Sequence, residues 1–199
     1  TVLMLDGEEP DRSGAVITDA VETGDVRAAV MDATMAHARR AERVRRNIAM
    51  IGSQWVVILD DVQPFADFKD DTVLRFVTGW PKGWEPEGKQ KPIEPLGEGA
   101  LRLNHPNSRT HIRFHNAASF KQSKVSSKFF GTCTAIDLSV TQFEMPVVTV
   151  MRIEEADHAD GKNDARVQVT EDVDNPTITV TLPGFGKLVY EKTPVGWGL

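Results

Sequence analysis

The sequence predicts an all-β fold, an antiparallel β-sandwich, and three observations support this class. Apolar residues recur with a period of two in short segments along most of the chain, which is typical of half-buried strands. Turn-forming residues separate these segments at short intervals, as they do in sandwiches. The chain has 199 residues, enough to bury roughly 70% of its unfolded surface in one core. We therefore expect a single domain over residues 1–199.

The predicted strands are short and follow one another along nearly the whole sequence. In chain order they cover residues 1–5, 16–17, 26–31, 55–59, 73–77, 101–103, 112–114, 135–140, 147–153, 165–169, 177–182 and 187–190. The clearest begins at Trp55, where a β-branched and aromatic run predicts a buried strand with Trp55 in the core. Residues 183–186 (PGFG) predict a hairpin turn between the last two strands, because proline fixes φ and glycine permits positive φ.

Two stretches depart from this pattern. Residues 33–41 are rich in alanine and arginine, which favour a helix. Residues 42–50 are predicted to form a strand instead. Residues 51–54 are predicted to form the hairpin turn that connects this strand to the strand at Trp55. Residues 79–99 are rich in proline and glycine and predict a long irregular loop, a kind of segment that is usually functional or mobile.

Composition excludes several classes of protein. The net charge of −6 argues against nucleic acid as a partner, because nucleic-acid-binding proteins usually carry a basic face. No apolar run approaches the roughly 20 residues of a membrane-spanning helix, so we expect no membrane partner. The single cysteine, Cys133, excludes an internal disulfide, and we expect it to be a small buried side chain. The chain opens at Thr1 on an apolar run with no visible signal peptide, and we expect it to be part of a longer protein.

Several sequence blocks occur together in a recognisable order. Residues 1–7 (TVLMLDG) run from an apolar strand into an Asp-Gly turn, and residues 24–34 (GDVRAAVMDAT) end in an Asp-Ala-Thr step. A basic strand at residues 43–48 (RVRRNI) is followed by an apolar strand at residues 55–62 (WVVILDDV) that closes on Asp-Asp-Val. In order and spacing these blocks resemble the β region of heparinase II/III-like polysaccharide lyases.

The resemblance implies a larger enzyme, with an N-terminal α/α toroid followed by a β-sandwich region to which this chain corresponds. Such enzymes cleave uronic-acid polysaccharides, such as the glycosaminoglycan heparan sulfate or alginate, by β-elimination. Their catalytic residues lie mainly on the toroid, and their zinc ligands would lie upstream of Thr1, so the resemblance transfers no catalytic or metal residue to this chain. It implies two partners, the upstream toroid of the same protein and an acidic polysaccharide, and a periplasmic or secreted location.

The alternative function is a stand-alone carbohydrate-binding or structural β-sandwich module. Trp80 and Trp84, in the long loop, are candidate substrate-binding residues because a flat aromatic face suits the C–H face of a sugar ring. The competing interpretation is that they fix the loop onto the sandwich. Arg43 and Arg45 share one face of the predicted basic strand, and their guanidinium forks match carboxylate and sulfate groups. The competing interpretation is that Arg43 and Arg45 have a structural role or are solvated.

Other polar groups suggest chemistry less strongly. His111 and His115 have the spacing of a helical zinc pair, but on a strand they stand ~13 Å apart. With Arg113 they are expected on one solvated face, opposite Ile112 and Phe114. The carboxylates of residues 154–164 are expected in a solvated hairpin loop rather than a calcium site. No nucleophile elbow or phosphate-binding glycine motif occurs.

Overall fold

The computed structural model describes residues 2–5, 14–69, 72–78, 93–97, 99–105, 107–117, 119–127, 131–155, 167–172 and 174–199. Within these ranges the regular elements are strands, apart from two short 3-10 helices at Thr34–His37 and Ala66–Phe68. Every strand pairing is antiparallel. The prediction of an all-β antiparallel fold is therefore confirmed.

The strands of the described residues form three sheets. They are β1 (Val2–Leu5), β2 (Val16–Thr23), β3 (Val26–Asp32), β4 (Ala41–Ile51), β5 (Trp55–Pro64), β6 (Thr72–Thr78), β7 (Ile93–Gly97), β8 (Ala100–Asn104), β9 (Ser108–His115), β10 (Ser119–Ser127), β11 (Gly131–Ser139), β12 (Val147–Glu155), β13 (Gln168–Asp172), β14 (Thr177–Leu182), β15 (Gly186–Thr193) and β16 (Gly196–Gly198). The first sheet has the order β1-β6-β11-β10, and the central sheet has the order β2-β3-β4-β5-β12-β9-β8-β7. The C-terminal sheet has the order β13-β14-β15-β16.

The central sheet packs against another sheet on each of its faces, so the strands stack in three layers. Successive side chains of a strand point to opposite faces. Ile58 of β5 lies in a core with Leu74 of β6 and Ile136 of β11, and we call this side the back face. Leu59 lies in a second core with Ile178 of β14, and we call this side the front face. Burial on both faces explains why residues 55–59 form a continuous apolar run instead of an alternating one.

Both predicted hairpins and two predicted core residues are confirmed. Ile51 pairs with Trp55 where β4 turns into β5, and β14 pairs with β15 across the turn at Gly184. Gly184 has φ +76°, a conformation that side chains other than glycine rarely adopt. Trp55 and Cys133 are both buried.

The prediction of a helix over residues 33–41 is wrong. The chain forms one 3-10 turn at Thr34–His37, and β4 already begins at Ala41. Because β3 and β4 are neighbours in the central sheet, the connection must reverse direction within a few residues, and it has no room for a longer helix. Side-chain bonds favour the tight turn: Asp32 accepts from the Thr34 amide and Thr34 accepts from the Val44 amide.

The prediction of an irregular loop over residues 79–99 is wrong for its last part. Residues 93–97 form β7, the edge strand of the central sheet. Pro95 is compatible with this position because proline is tolerated on edge strands, and a register irregularity follows it between Pro95 and Gly97. Residues 79–92 lie outside the described residues.

In the part of the chain that the structure describes, no helix is long and apolar enough to cross a membrane.

The contact between the central and C-terminal sheets generates a stability prediction. Ile178 is 0% exposed between these layers, whereas Ile17 on β2 is 69% exposed. We expect Ile178→Ala to lower the free energy of unfolding by about 2–5 kcal/mol, because truncation leaves a cavity in the core. The matched control Ile17→Ala should change it by about 0.5 kcal/mol or less. Urea unfolding of both variants measures the difference, and equal losses would contradict the layered packing.

Candidate functional site

The C-terminal sheet covers only part of the front face. Among the described residues, the core between the two sheets contains side chains of β4, β5 and β12, with partly buried ones from β3. It contains none from β7, β8 or β9. The front face of these three outer strands therefore lies beyond the edge of the C-terminal sheet, and its side chains are free to be polar.

A row of cationic side chains crosses this outer part of the front face. Arg102 of β8 is paired in register with His111 of β9, and His111 is paired with Arg152 of β12. We call these three residues the cationic row. Trp55 on β5 continues the row beyond Arg152, and Glu94 on β7 continues it beyond Arg102. Arg102 and Arg152 are the charged members of the row, and both side chains are largely withdrawn from solvent. Such desolvated charges require anionic partners.

Two carboxylates supply part of this compensation. Arg102 Nη2 lies 2.5 Å from Glu94 Oε2, and Arg152 Nη1 lies 2.7 Å from Glu154 Oε1. The same Glu154 side chain lies 3.6 Å from His111 Nε2, measured from Oε2. Arg152 also stands over the Trp55 ring at 5.4 Å from its centroid, a cation–π contact that fixes the guanidinium plane.

A small open pocket lies beside the cationic row. Its lining includes Trp55, Arg113, Arg152, Leu96 and Val167, and it encloses about 80 Å³. That space holds several water molecules or one small anionic group. Trp55, Arg152 and Arg113 come from the central sheet, and Val167 immediately precedes β13. The pocket therefore lies at the edge of the C-terminal sheet.

Two further arginines share this face. Arg109 and Arg113 alternate with His111 along β9, and Ile112 and Phe114 point into the back core. Among the residues that the structure describes, neither Arg109 nor Arg113 forms an ion pair. Among the described residues, this part of the front face thus carries four arginines against two glutamates, although the whole chain is acidic.

The predicted arrangement of the β9 histidines is correct in geometry and wrong in environment. His111 and His115 do share one face with Arg113, but His111 is buried and His115 is half-buried. Burial lowers the pKa of His115, Arg113 lowers it further, and Glu171 opposes the shift. Among the described residues, no group of three or more His, Cys, Asp or Glu side chains is placed to hold a metal ion.

The sequence interpretation did not identify Arg102, Arg152 or Glu154 as site residues. A signal was present, because Arg152 and Glu154 occupy alternate positions at the end of a strand that begins with mostly apolar residues. Such alternation indicates one polar face that needs partners on neighbouring strands. Their partners are non-local in sequence, and the register that brings them together is visible only in the sheet.

The predicted arginines of β4 form a separate cluster at the front face. Arg43 Nε lies 2.6 Å from Asp61 Oδ2, and Arg43 Nη2 donates to Asp61 Oδ1 at 3.2 Å. Arg45 Nε lies 3.7 Å from Asp32 Oδ2, and Arg45 Nη1 donates to the Val195 carbonyl. This cluster joins the central sheet to the end of the C-terminal sheet.

Gly196 permits this contact. A Cβ atom at Gly196 would stand 3.0 Å from Asp61 Oδ2 and 3.1 Å from Arg45 Nη1, and φ at this residue is +124°. Only glycine satisfies both constraints without displacing the cluster. Next to it, Asn47 Nδ2 donates to the Trp197 carbonyl at 3.0 Å, so the last strand is held by side chains of β4.

The structure tests the placement of the predicted substrate-binding residues only in part. Arg43 and Arg45 do share the front face, while Arg46 pairs with Asp60 at 2.6 Å. Both guanidinium groups already have partners within the chain, which favours the structural interpretation. Their role in substrate binding stays a prediction. Trp80 and Trp84 lie outside the described residues. The prediction of a solvated loop over residues 154–164 is wrong at its start, because Glu154 and Glu155 belong to β12 and Glu154 is buried. Residues 156–164 lie outside the described residues.

Comparisons with known proteins identify the fold. The chain is similar to a structure of heparinase III, the BT4657 gene product with methylated lysines, at a TM-score of 0.60 and 15% identity, over 96% of this chain and 29% of that one. It is also similar to the heparan sulfate lyase HepC from Pedobacter heparinus, at a TM-score of 0.60 and 12% identity, over 98% of this chain and 30% of that one. The chain thus spans less than a third of the length of these structures. No protein-family profile matches the sequence, and no curated protein is significantly similar to it. At the level of fold, the resemblance to heparinase-type lyases is confirmed.

The Arg43–Asp61 pair generates a second stability prediction. The Asp61 side chain is 2% exposed, whereas Glu22, paired with Arg27 on the surface, is 67% exposed. We expect Asp61→Asn to lower the free energy of unfolding by about 3 kcal/mol or more, because it leaves a partly buried guanidinium without its charge partner. The control Glu22→Gln should have little effect, because exposed pairs contribute little. Chemical denaturation measures both, and similar small losses would show that the cluster does not stabilise the layers.

The buried histidines predict a pH-dependent stability. The pKa values of His37, His105 and His115 are all lowered, chiefly by burial. The unfolded chain therefore binds more protons as the pH falls through about 6.5, and stability present at neutral pH is lost below it. We expect the free energy of unfolding to fall between pH 7.5 and 5.5 and to fall less steeply in His115→Gln. Urea unfolding across this range is the measurement, and an unchanged slope in the variant would contradict the assignment for His115.

Proposed function

We propose that this chain is the β region of a polysaccharide lyase of the heparinase III kind, which cleaves uronic-acid polysaccharides by β-elimination. The observation that carries the proposal is the fold match over 96–98% of the chain at a TM-score of 0.60. The outer front face adds support, because its surplus of arginines suits an anionic saccharide.

In this proposal the reacting groups come from outside residues 1–199. β-Elimination needs a base that removes the proton at C5 of the uronate and an acid that protonates the leaving glycosidic oxygen. Tyrosine is one of the groups that serve such enzymes, and this chain has a single tyrosine, Tyr190. It is 0% exposed, and burial raises the pKa of its hydroxyl, so its hydroxyl is not on the surface that a polysaccharide would contact.

The proposed partners follow from the same comparison. The solved structures continue well beyond the part that this chain matches. We propose that an α/α toroid upstream in the same protein supplies the catalytic groups and that a zinc ion is held by ligands upstream of Thr1. The chain would then act as the non-catalytic support of the toroid and contribute to saccharide binding. No step of the reaction is assigned to a residue of this chain.

Formation of the unsaturated uronate product tests this proposal, because its conjugated double bond absorbs in the ultraviolet. We expect no product from the 199-residue chain and product from the longest natural chain that contains it, with heparan sulfate and alginate as trial substrates. A matched denatured sample controls for background absorbance. Product from the 199-residue chain alone would overturn the non-catalytic assignment. Absence of product from both would favour the alternative, a carbohydrate-binding or structural module.

A further inference from the structure

We propose that the pocket beside the cationic row binds the carboxylate or sulfate group of an acidic oligosaccharide, with Arg113 and Arg152 as the anion-binding side chains. The proposal rests on the proposed function for the choice of a saccharide as ligand. The anion preference itself is argued from the charges, the contacts and the shape of the pocket. None of the catalytic or metal sites implied by the resemblance lies in this chain, so this site is additional to them.

The arginines beside the pocket outnumber the carboxylates that compensate them. Glu94 is engaged with Arg102, and Glu154 is shared between Arg152 and His111. Arg113 lines the pocket, and among the described residues it has no ion pair. A guanidinium that is partly desolvated and has no carboxylate partner favours a bound anion, because the Arg fork donates paired hydrogen bonds to carboxylate and sulfate oxygens.

The guanidinium of Arg152 has a fixed orientation in the pocket wall. Its guanidinium is held on one side by Glu154 at 2.7 Å and stands over the Trp55 ring at 5.4 Å. The Arg152 side chain is 15% exposed, and among the described residues neither its buried Nε nor its buried Nη1 has a partner with hydrogen-bond geometry, although Nη1 is ion-paired with Glu154. A donor group already fixed in place loses little conformational entropy when it binds a ligand. A buried donor without a partner also costs free energy until an acceptor arrives.

The pocket has an apolar lining next to the arginines. Leu96 on the edge strand β7 is 45% exposed and lines the pocket together with Ala100 and Val167. A sugar ring presents C–H groups as well as charged substituents, so an apolar wall beside two arginines fits an acidic saccharide better than a free inorganic ion. The pocket opens at the edge of the C-terminal sheet, where a longer saccharide chain can continue over the surface.

Isothermal titration calorimetry of the 199-residue chain tests the proposal without requiring lyase activity. Three oligosaccharides of equal length serve as probes: a heparan sulfate fragment with sulfate and carboxylate, an alginate fragment with carboxylate only, and a neutral maltooligosaccharide. We expect binding of at least one acidic probe, weakened by added salt, and no binding of the neutral one. Binding of both acidic probes identifies carboxylate as the recognised group, and binding of the heparan sulfate fragment alone identifies sulfate.

Variants of Arg113 assign the binding to this pocket. We expect Arg113→Gln to raise Kd by about tenfold or more, which corresponds to about 1.4 kcal/mol. Arg113→Lys should lie between it and the wild type, because it keeps the charge and loses the fork. Arg27→Gln, an exposed arginine on β3 paired with Glu22, is the matched control and should not change Kd. Thermal unfolding verifies that every variant is folded.

Three results would overturn the proposal: no binding of either acidic probe, equal binding of the neutral probe, or a Kd that Arg113→Gln leaves unchanged. These failures differ from a failure of the proposed function. Lyase activity of the longer chain without Arg113-dependent binding would remove this site and leave the lyase assignment. Arg113-dependent binding without lyase activity would keep the site and favour the carbohydrate-binding alternative.

Discussion

Strand β5 is buried on both of its faces, and the arrangement of the other layers depends on that constraint. Its even-numbered side chains, such as Ile58, pack toward the first sheet, and its odd-numbered ones, such as Leu59, pack toward the C-terminal sheet. The strand contains two consecutive aspartates that point to opposite faces, and each pairs with an arginine of β4. Asp60 meets Arg46, and Asp61 meets Arg43. A shift of one residue would exchange the two faces and break both pairs, so burial and charge specify the same register.

The two layers that cover the central sheet differ in extent, and the difference places the polar groups. The back core includes side chains of β8 and β9 as well as β4 and β5. The front core stops at β12 among the described residues. Ile112 and Phe114 are therefore apolar on the back, while Arg113 on the same strand faces the uncovered front. A site for a charged ligand arises where one layer ends, because the arginines there have both a rigid sheet beneath them and access to solvent.

The sequence predicts the parts of this fold that depend on local patterns. The hairpin at Gly52, the turn at Gly184 and the burial of Trp55 each follow from residues that are close in the chain. The prediction of a helix over residues 33–41 is wrong because the pairing of β3 with β4 requires a short chain reversal there. This requirement overrides the helix propensity of the residues. Strand β7 is missed because Pro95 argues against a strand unless its edge position is known. Edge positions are a property of the whole sheet, which no local pattern contains.

The same limit applies to the candidate site, and the arginines show why. Arg43 and Arg45 form an alternating pair on β4, and Arg109 and Arg113 lie on β9 in a comparable alternation. In the sequence the two sets have equal claims on an anionic ligand. Asp61, Asp32 and the Val195 carbonyl occupy the first set. In the second set Arg109 lies opposite Glu154 on β12, whereas Arg113 lies opposite Val150 on β12 and Ala100 on β8. An arginine is available to a ligand only when the strands beside it lack a carboxylate within reach, so residue identity sets the chemistry and cross-strand register decides whether that chemistry is already used.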